Sequence, residues 1–151
     1  MGVIVCAMRG GPGSRAVQRR AVELAAQAGK RLIFLYVVDV ASVPGAEGKL
    51  GQAARAELTW LGQTLLAIAV HRADNKGVPA QAALREGDPR HEISRFLAEN
   101  AAELLLLGAP RRATGAFGAH DSIEAFAQAI QDESGLPVEI VRPDGAAGAA
   151  Q

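Results

Sequence analysis

The sequence predicts a single-domain α/β protein, a doubly wound, five-stranded parallel sheet with helices on both faces. Three observations predict it. Continuous apolar runs of strand length recur along the chain, as strands buried on both faces require. Between them stand segments whose apolar residues recur at helical spacing. Glycine, proline or an acidic turn residue punctuates the junctions. Strands alternating with helices imply a parallel sheet, and right-handed crossovers make it doubly wound, with expected strand order 3-2-1-4-5.

The elements follow in order. GVIVCAM (2–8) is the first buried strand, broken by Gly10, Gly11, Pro12 and Gly13. Ser14 is placed to cap a helix whose core face is Val17, Ala21, Leu24, Ala25 and Ala28, with Gly29 just past its end. RLIFLYVVDV (31–40) is the second strand. A long helix over about 50–72 puts Leu58, Leu61, Leu65, Ile68 and Ala69 on its core side; Gly51 and Gly62 weaken it, and Trp60 falls off the stripe. VPAQAALRE (78–86) alternates more and reads as a half-exposed strand opened by Gly77. Asp88 and Pro89 are the cap and first residue of a short helix (89–100) that buries Ile93, Phe96 and Leu97. ELLLLGA (103–109) is the most apolar strand and so a central one. A fourth helix runs from Ser122 to about Glu133 on Ile123, Phe126, Ala127 and Ile130, and LPVEIVR (136–142) is the last strand. Residues 2–142 form the domain; the remainder, 143–151, has nothing to bury and reads as a disordered tail.

Composition excludes several classes. The 151 residues carry 16 Lys plus Arg and 16 Asp plus Glu, so no net charge draws the chain to nucleic acid or an anionic membrane. No apolar stretch approaches the ~20 residues of a membrane span, and no leader pattern precedes the first strand, so a soluble, cytoplasmic protein is expected. The single cysteine, Cys6, lies in an apolar run and reads as a buried hydrophobe. His71, His91 and His120 are scattered, without a metal-ligand or nucleophile–base spacing. No P-loop is present.

The segment with most chemistry is ELLLLGAPRRATGAFGAHDS (103–122), a strand, a glycine-containing loop and a helix start. In an open α/β sheet such a junction holds phosphates, since backbone N–H groups and a helix N-terminus face the ligand. Here the junction carries Arg111, Arg112, His120 and Asp121. DSIE (121–124) reads as a capping box, whose carboxylate occupies the N–H groups a phosphate would use. Against this, guanidinium groups match phosphate geometry, and Arg9, Arg111 and Arg112 are expected near the switch point; the bland alternative is solvated loop charges, or Arg9 paired with Asp39 or Asp121. Asp39 ends the second strand, where Rossmann-type sites place a ribose-binding acid.

Four pieces together resemble the universal stress protein (UspA-like) family over residues 2–142: VIVCAMRGGPGSRAVQRRAVELA, LYVVD (35–39), EGDPRHEI (86–93) and LLLLGA (104–109) leading into the glycine loop. The resemblance implies a Rossmann-like fold and a stress-linked regulatory role. Nucleotide-binding members show Gly, two residues, Gly, nine residues, then Gly and Ser or Thr. Laid on this chain, the first Gly is Gly108, the second falls on Arg111, and the last pair falls on Asp121 and Ser122. The family's nucleoside-contacting acid after the first strand falls on Arg9. The resemblance also implies that Val37 lies beside the adenine and Ala7 next to it. The candidate ligand residues are therefore Ala7, Arg9, Gly10, Val37, Asp39, Gly108, Arg111, Arg112 and Ser122; no catalytic or metal-binding residue is assigned.

Family members dimerise through the last strand, which implies homodimer pairing along Val138, Ile140 and Val141; an apolar edge strand invites such pairing, unless the tail covers it. The expected function is a non-enzymatic, dimeric stress-response regulator without tight ATP binding in the family manner. The alternative is a binder of ATP, AMP or a cyclic nucleotide that uses Arg9, Arg111 and Arg112 in place of the lost glycines and acid. A slow phosphohydrolase and a pure protein-docking module are the remaining classes.

Overall fold

Six consecutive buried residues, Val3–Met8, form β1 at the middle of the sheet. In this computed structural model, residues 2–8, 14–39, 48–109, 123–142 and 147–149 are described. The chain continues through α1 (Ser14–Ala28), β2 (Arg31–Val38), α2 (Lys49–Asn75), β3 (Ala80–Glu86), α3 (Pro89–Glu99), β4 (Ala102–Gly108), α4 (Ile123–Ser134), β5 (Val138–Val141) and β6 (Ala147–Ala149). The sheet order is β3-β2-β1-β4-β5-β6. Strands β1 to β5 are all parallel in the expected order, with β1 pairing β2 from Val3 opposite Arg31 to Met8 opposite Tyr36.

Two cores flank the sheet, as alternating side chains of a doubly covered sheet require. On one face Ile4, Cys6, Met8, Leu32, Phe34 and Tyr36 meet Val17, Ala21 and Ala25 of α1 and Leu66, Ala69 and Ala73 of α2. On the other, Val5, Ala7, Ile33, Leu35, Leu105 and Leu107 meet Ile93, Phe96 and Leu97 of α3 and Ile123, Ala127 and Ile130 of α4. Burial pushes the Cys6 thiol up, since the thiolate has no solvation there. Asp88 caps α3 by accepting the His91 N–H at 3.0 Å, and Gly29 adopts φ +63° past α1.

Three expectations are corrected. The core face of α2 is Gly51, Gly62, Leu66, Ala69 and Ala73. Leu61 and Ile68, expected inside, are each 41% exposed, and Leu58 and Leu65 are only partly buried. The helix is turned because its small residues allow the closest approach: a Cβ on Gly62 would lie 2.5 Å from Tyr36 Cδ1. Second, Ser14 is the first helical residue, and its buried Oγ has no hydrogen-bond partner among the described residues, so it makes no capping bond. Third, within the segment read as a disordered tail, Ala147–Ala149 form β6, antiparallel to β5 with Ile140 opposite Gly148. Strand addition needs backbone groups, not apolar side chains, and an open edge supplies them.

Candidate functional site

From β1 the chain winds through α1 and β2 toward β3, then crosses to β4 and β5 on the other side. The winding reverses at β1 and β4, and the crevice of such a sheet lies beyond their carboxyl ends. Ala7 lies in this region of β1, 4% exposed, paired with Leu35 on one side and Leu107 on the other. Val37 lies two residues beyond Leu35 on the same face of β2, half-buried against the α3–α4 core. Gly108 ends β4 opposite Val141. The next residue, Ala109, donates its N–H to the Val141 carbonyl at 2.8 Å, so the backbone is fixed up to the point where the following loop leaves. Thus Ala7, Val37 and Gly108 come together at the ends of three adjacent strands. Asp39, just past β2, is half-buried and already engaged in a contact. Arg9, Gly10, Arg111, Arg112, His120, Asp121 and Ser122 lie outside the described residues.

The carboxyl ends are tied by polar contacts. Gly87 N–H donates to Val38 O at 3.0 Å, and the Arg55 Nε lies 3.1 Å from Oε1 of Glu86, the last residue of β3. Arg142, past β5, donates to Glu124 Oε1 at 2.6 Å. Arg85 lies 3.8 Å from Glu99 and 5.2 Å from the Phe96 ring centroid. These three arginines each have a carboxylate partner. At the start of α1 stands Ser14, with its buried, unpartnered hydroxyl beyond the carboxyl end of β1. Sequence reasoning assigned that hydroxyl to capping; the glycine-rich stretch before it hid the helix boundary by one residue. His71 and His91 are exposed on different helices. Among the described residues, no group of three or more His, Cys, Asp or Glu is placed to hold a metal ion. No helix among them is long and apolar enough to cross a membrane.

No curated protein sequence matches the chain significantly. Solved structures do. A universal stress family protein from Burkholderia pseudomallei superposes with TM-score 0.69 at 26% identity, covering 93% of this chain and 95% of that one. The universal stress protein UspA from Lactobacillus plantarum gives TM-score 0.77 at 17% identity, over 93% and 97% of the two chains. The universal stress protein from Archaeoglobus fulgidus in complex with dAMP gives 0.62 at 19%, over 93% and 96%. The latter two carry the fold alone. The universal stress protein family model matches residues 1–141. By that match, and by a sheet wound β3-β2-β1-β4-β5 around a crevice at β1 and β4, the chain belongs to the universal stress protein family.

Proposed function

We propose that this protein is a non-enzymatic, cytoplasmic stress-response regulator that works as a homodimer and does not hold ATP tightly in the family manner. One observation supports the reading. Gly108 ends β4, but in the sequence Arg111 and Asp121 fall at the positions where the motif of nucleotide-binding family members has glycines. A glycine there lets the backbone approach phosphate oxygens; a side chain prevents it, and a carboxylate at a helix start repels the anion. The homodimer pairs along Val138, Ile140 and Val141 of β5, with β6 displaced from that edge.

A second reading has its own support. A structural relative is seen in complex with dAMP, and this chain has Arg9 one residue beyond β1 and Arg111 and Arg112 soon after β4. In this reading the arginines bind the phosphates of ATP, AMP or a cyclic nucleotide, Asp39 the ribose, and Ala7 and Val37 flank the base, with Gly10 and Ser122 at the loop ends. Native mass spectrometry of the freshly purified protein, followed by a thermal-shift titration with ATP and AMP, separates the two. The expected result is a bare dimer whose melting temperature ATP leaves unchanged. A co-purified nucleotide overturns it, as does stabilisation approaching the ~2.7 kcal/mol expected of a ligand at 100 times its Kd.

A further inference from the structure

Helix α2 has a second apolar face. Its buried residues, Gly62, Leu66, Ala69 and Ala73, cover one side. On the opposite side Trp60 is 63% exposed, and Leu61 and Ile68 are each 41% exposed. At 100° per residue, Trp60, Leu61, Thr64, Ala67 and Ile68 form one stripe pointing away from the sheet. Residues 58–70 contain no charged side chain, although a surface helix ordinarily covers its outer side with charge. The polar group in the stripe is already satisfied: Thr64 Oγ1 donates to the Trp60 carbonyl at 2.9 Å. The neighbouring arginines are turned elsewhere, Arg55 to Glu86 and Arg72 to Gln18.

The ends of the stripe identify its occupant. Glu57 stands seven residues before Thr64 and His71 seven residues after it, both exposed and on the stripe's line. An antiparallel copy of the same helix, related by a two-fold axis at Thr64, sets Glu57 against His71 at both ends. It sets Trp60 against Ile68 and Leu61 against Ala67. This is the self-complementarity an isologous contact requires, in a helix pair with interlocking apolar rows. A lipid surface suits the stripe less well, because no basic rim flanks it.

We propose that the outer face of α2 is a second self-association surface, in which two copies pair their α2 helices antiparallel about Thr64. It lies over β2 and β3, toward the opposite side of the sheet from β5, so it is independent of the dimer proposed above. One helix pair buries less than a standard interface, so the association is weak and needs concentrated protein.

Disulfide trapping tests it, since Cys6 is fully buried and gives no background. Thr64→Cys places its sulfur on the two-fold axis, whereas Ala53→Cys, equally on the helix surface, is far from its own copy. At roughly 0.3 mM protein, suited to an association in the weak range, mild oxidation is expected to cross-link Thr64→Cys at least tenfold faster than Ala53→Cys. Adding Leu61→Glu with Ile68→Glu should abolish this; both sites are exposed, and an unchanged melting temperature of the reduced protein confirms folding. Glu57→Lys should slow the cross-link, and Glu57→Lys with His71→Glu should restore it. Equal rates for the two cysteine variants overturn the proposal, whether the protein is monomeric or paired only through β5. So does a monomer that instead co-sediments with zwitterionic phosphatidylcholine vesicles in a Trp60-dependent way.

Discussion

At the scale of single residues, two small side chains carry opposite predictions. At Gly62 helix α2 packs tightly on the sheet, with Tyr36 Cδ1 2.5 Å and Leu84 Cδ1 3.1 Å from where a Cβ would stand. Gly62→Ala improves helix propensity by about 1 kcal/mol, but the new methyl must push a buried ring, and overpacking costs about 1–3 kcal/mol. The net expectation is a protein destabilised by up to about 2 kcal/mol, read as a lower urea midpoint with an unchanged slope. Ala101 is the reverse case. It holds φ 50° in the turn between α3 and β4, where a Cβ costs about 1–2 kcal/mol. Ala101→Gly removes that cost but gives the unfolded chain more freedom, so it should stabilise by about 0.5–1 kcal/mol, raising the urea midpoint. Neither effect was visible in the sequence, where Gly62 reads as a weak point in a helix. The first depends on what lies opposite Gly62, the second on the backbone angle of the turn.

The elements were legible wherever the apolar pattern has a single reading, as a continuous run of strand length or as one stripe at helical spacing. The continuous runs of β1, β2 and β4 and the stripe of α3 stand where their patterns put them, and Asp88 with Pro89 marks its helix start by local chemistry alone. Helix α2 was legible as a helix but not in its rotation. With apolar residues on both sides, its period gives no unique core face, and reading the larger side chains as core selected Leu61 and Ile68. The sheet instead takes the small-residue side, because two glycines and two alanines let the helix come close enough to bury Leu66. Paired truncations check this. Leu66→Ala should cost about 2–5 kcal/mol, the range for a filled core site. Leu61→Ala should cost no more than about 0.5 kcal/mol, a surface value, at concentrations where the chain is monomeric. Equal losses would restore the rotation read from sequence. The crevice was half legible: topology put it beyond the carboxyl ends of β1 and β4 and the family resemblance supplied Ala7, Val37 and Gly108, whereas the orphan hydroxyl of Ser14 depends on a helix boundary that sequence places only to within a residue or two.

On the scale of the whole molecule, the sheet has two unlike edges. At one, β3 is half-exposed, and α2 overlies it together with β2. At the other, β5 is a four-residue strand whose Val138, Ile140 and Val141 are buried by the cores, while Glu139 reaches back to Arg20 of α1 at 2.9 Å. The side chains of β5 are therefore committed within the chain, and what its outer edge offers a partner is backbone. That backbone is occupied by β6, in the antiparallel sense, over Glu139 to Val141. A two-fold pairing of β5 with the same strand of a second copy would also be antiparallel and would use the same N–H and C=O groups. If two copies meet through β5 as proposed above, the two arrangements compete, and β6 would act as an intramolecular ligand for that edge. Its hold is weak, because three small residues add backbone pairing without burying a large side chain. Ending the chain after Arg142 removes the competitor, leaves every core residue in place, and should raise the dimer fraction several-fold at equal concentration in sedimentation velocity. Replacing Gly148, which stands opposite Ile140, by proline tests the same balance within the full-length chain, because proline breaks the strand without deleting it. A dimer fraction unmoved by both changes would mean that β5 is not the edge through which two copies meet.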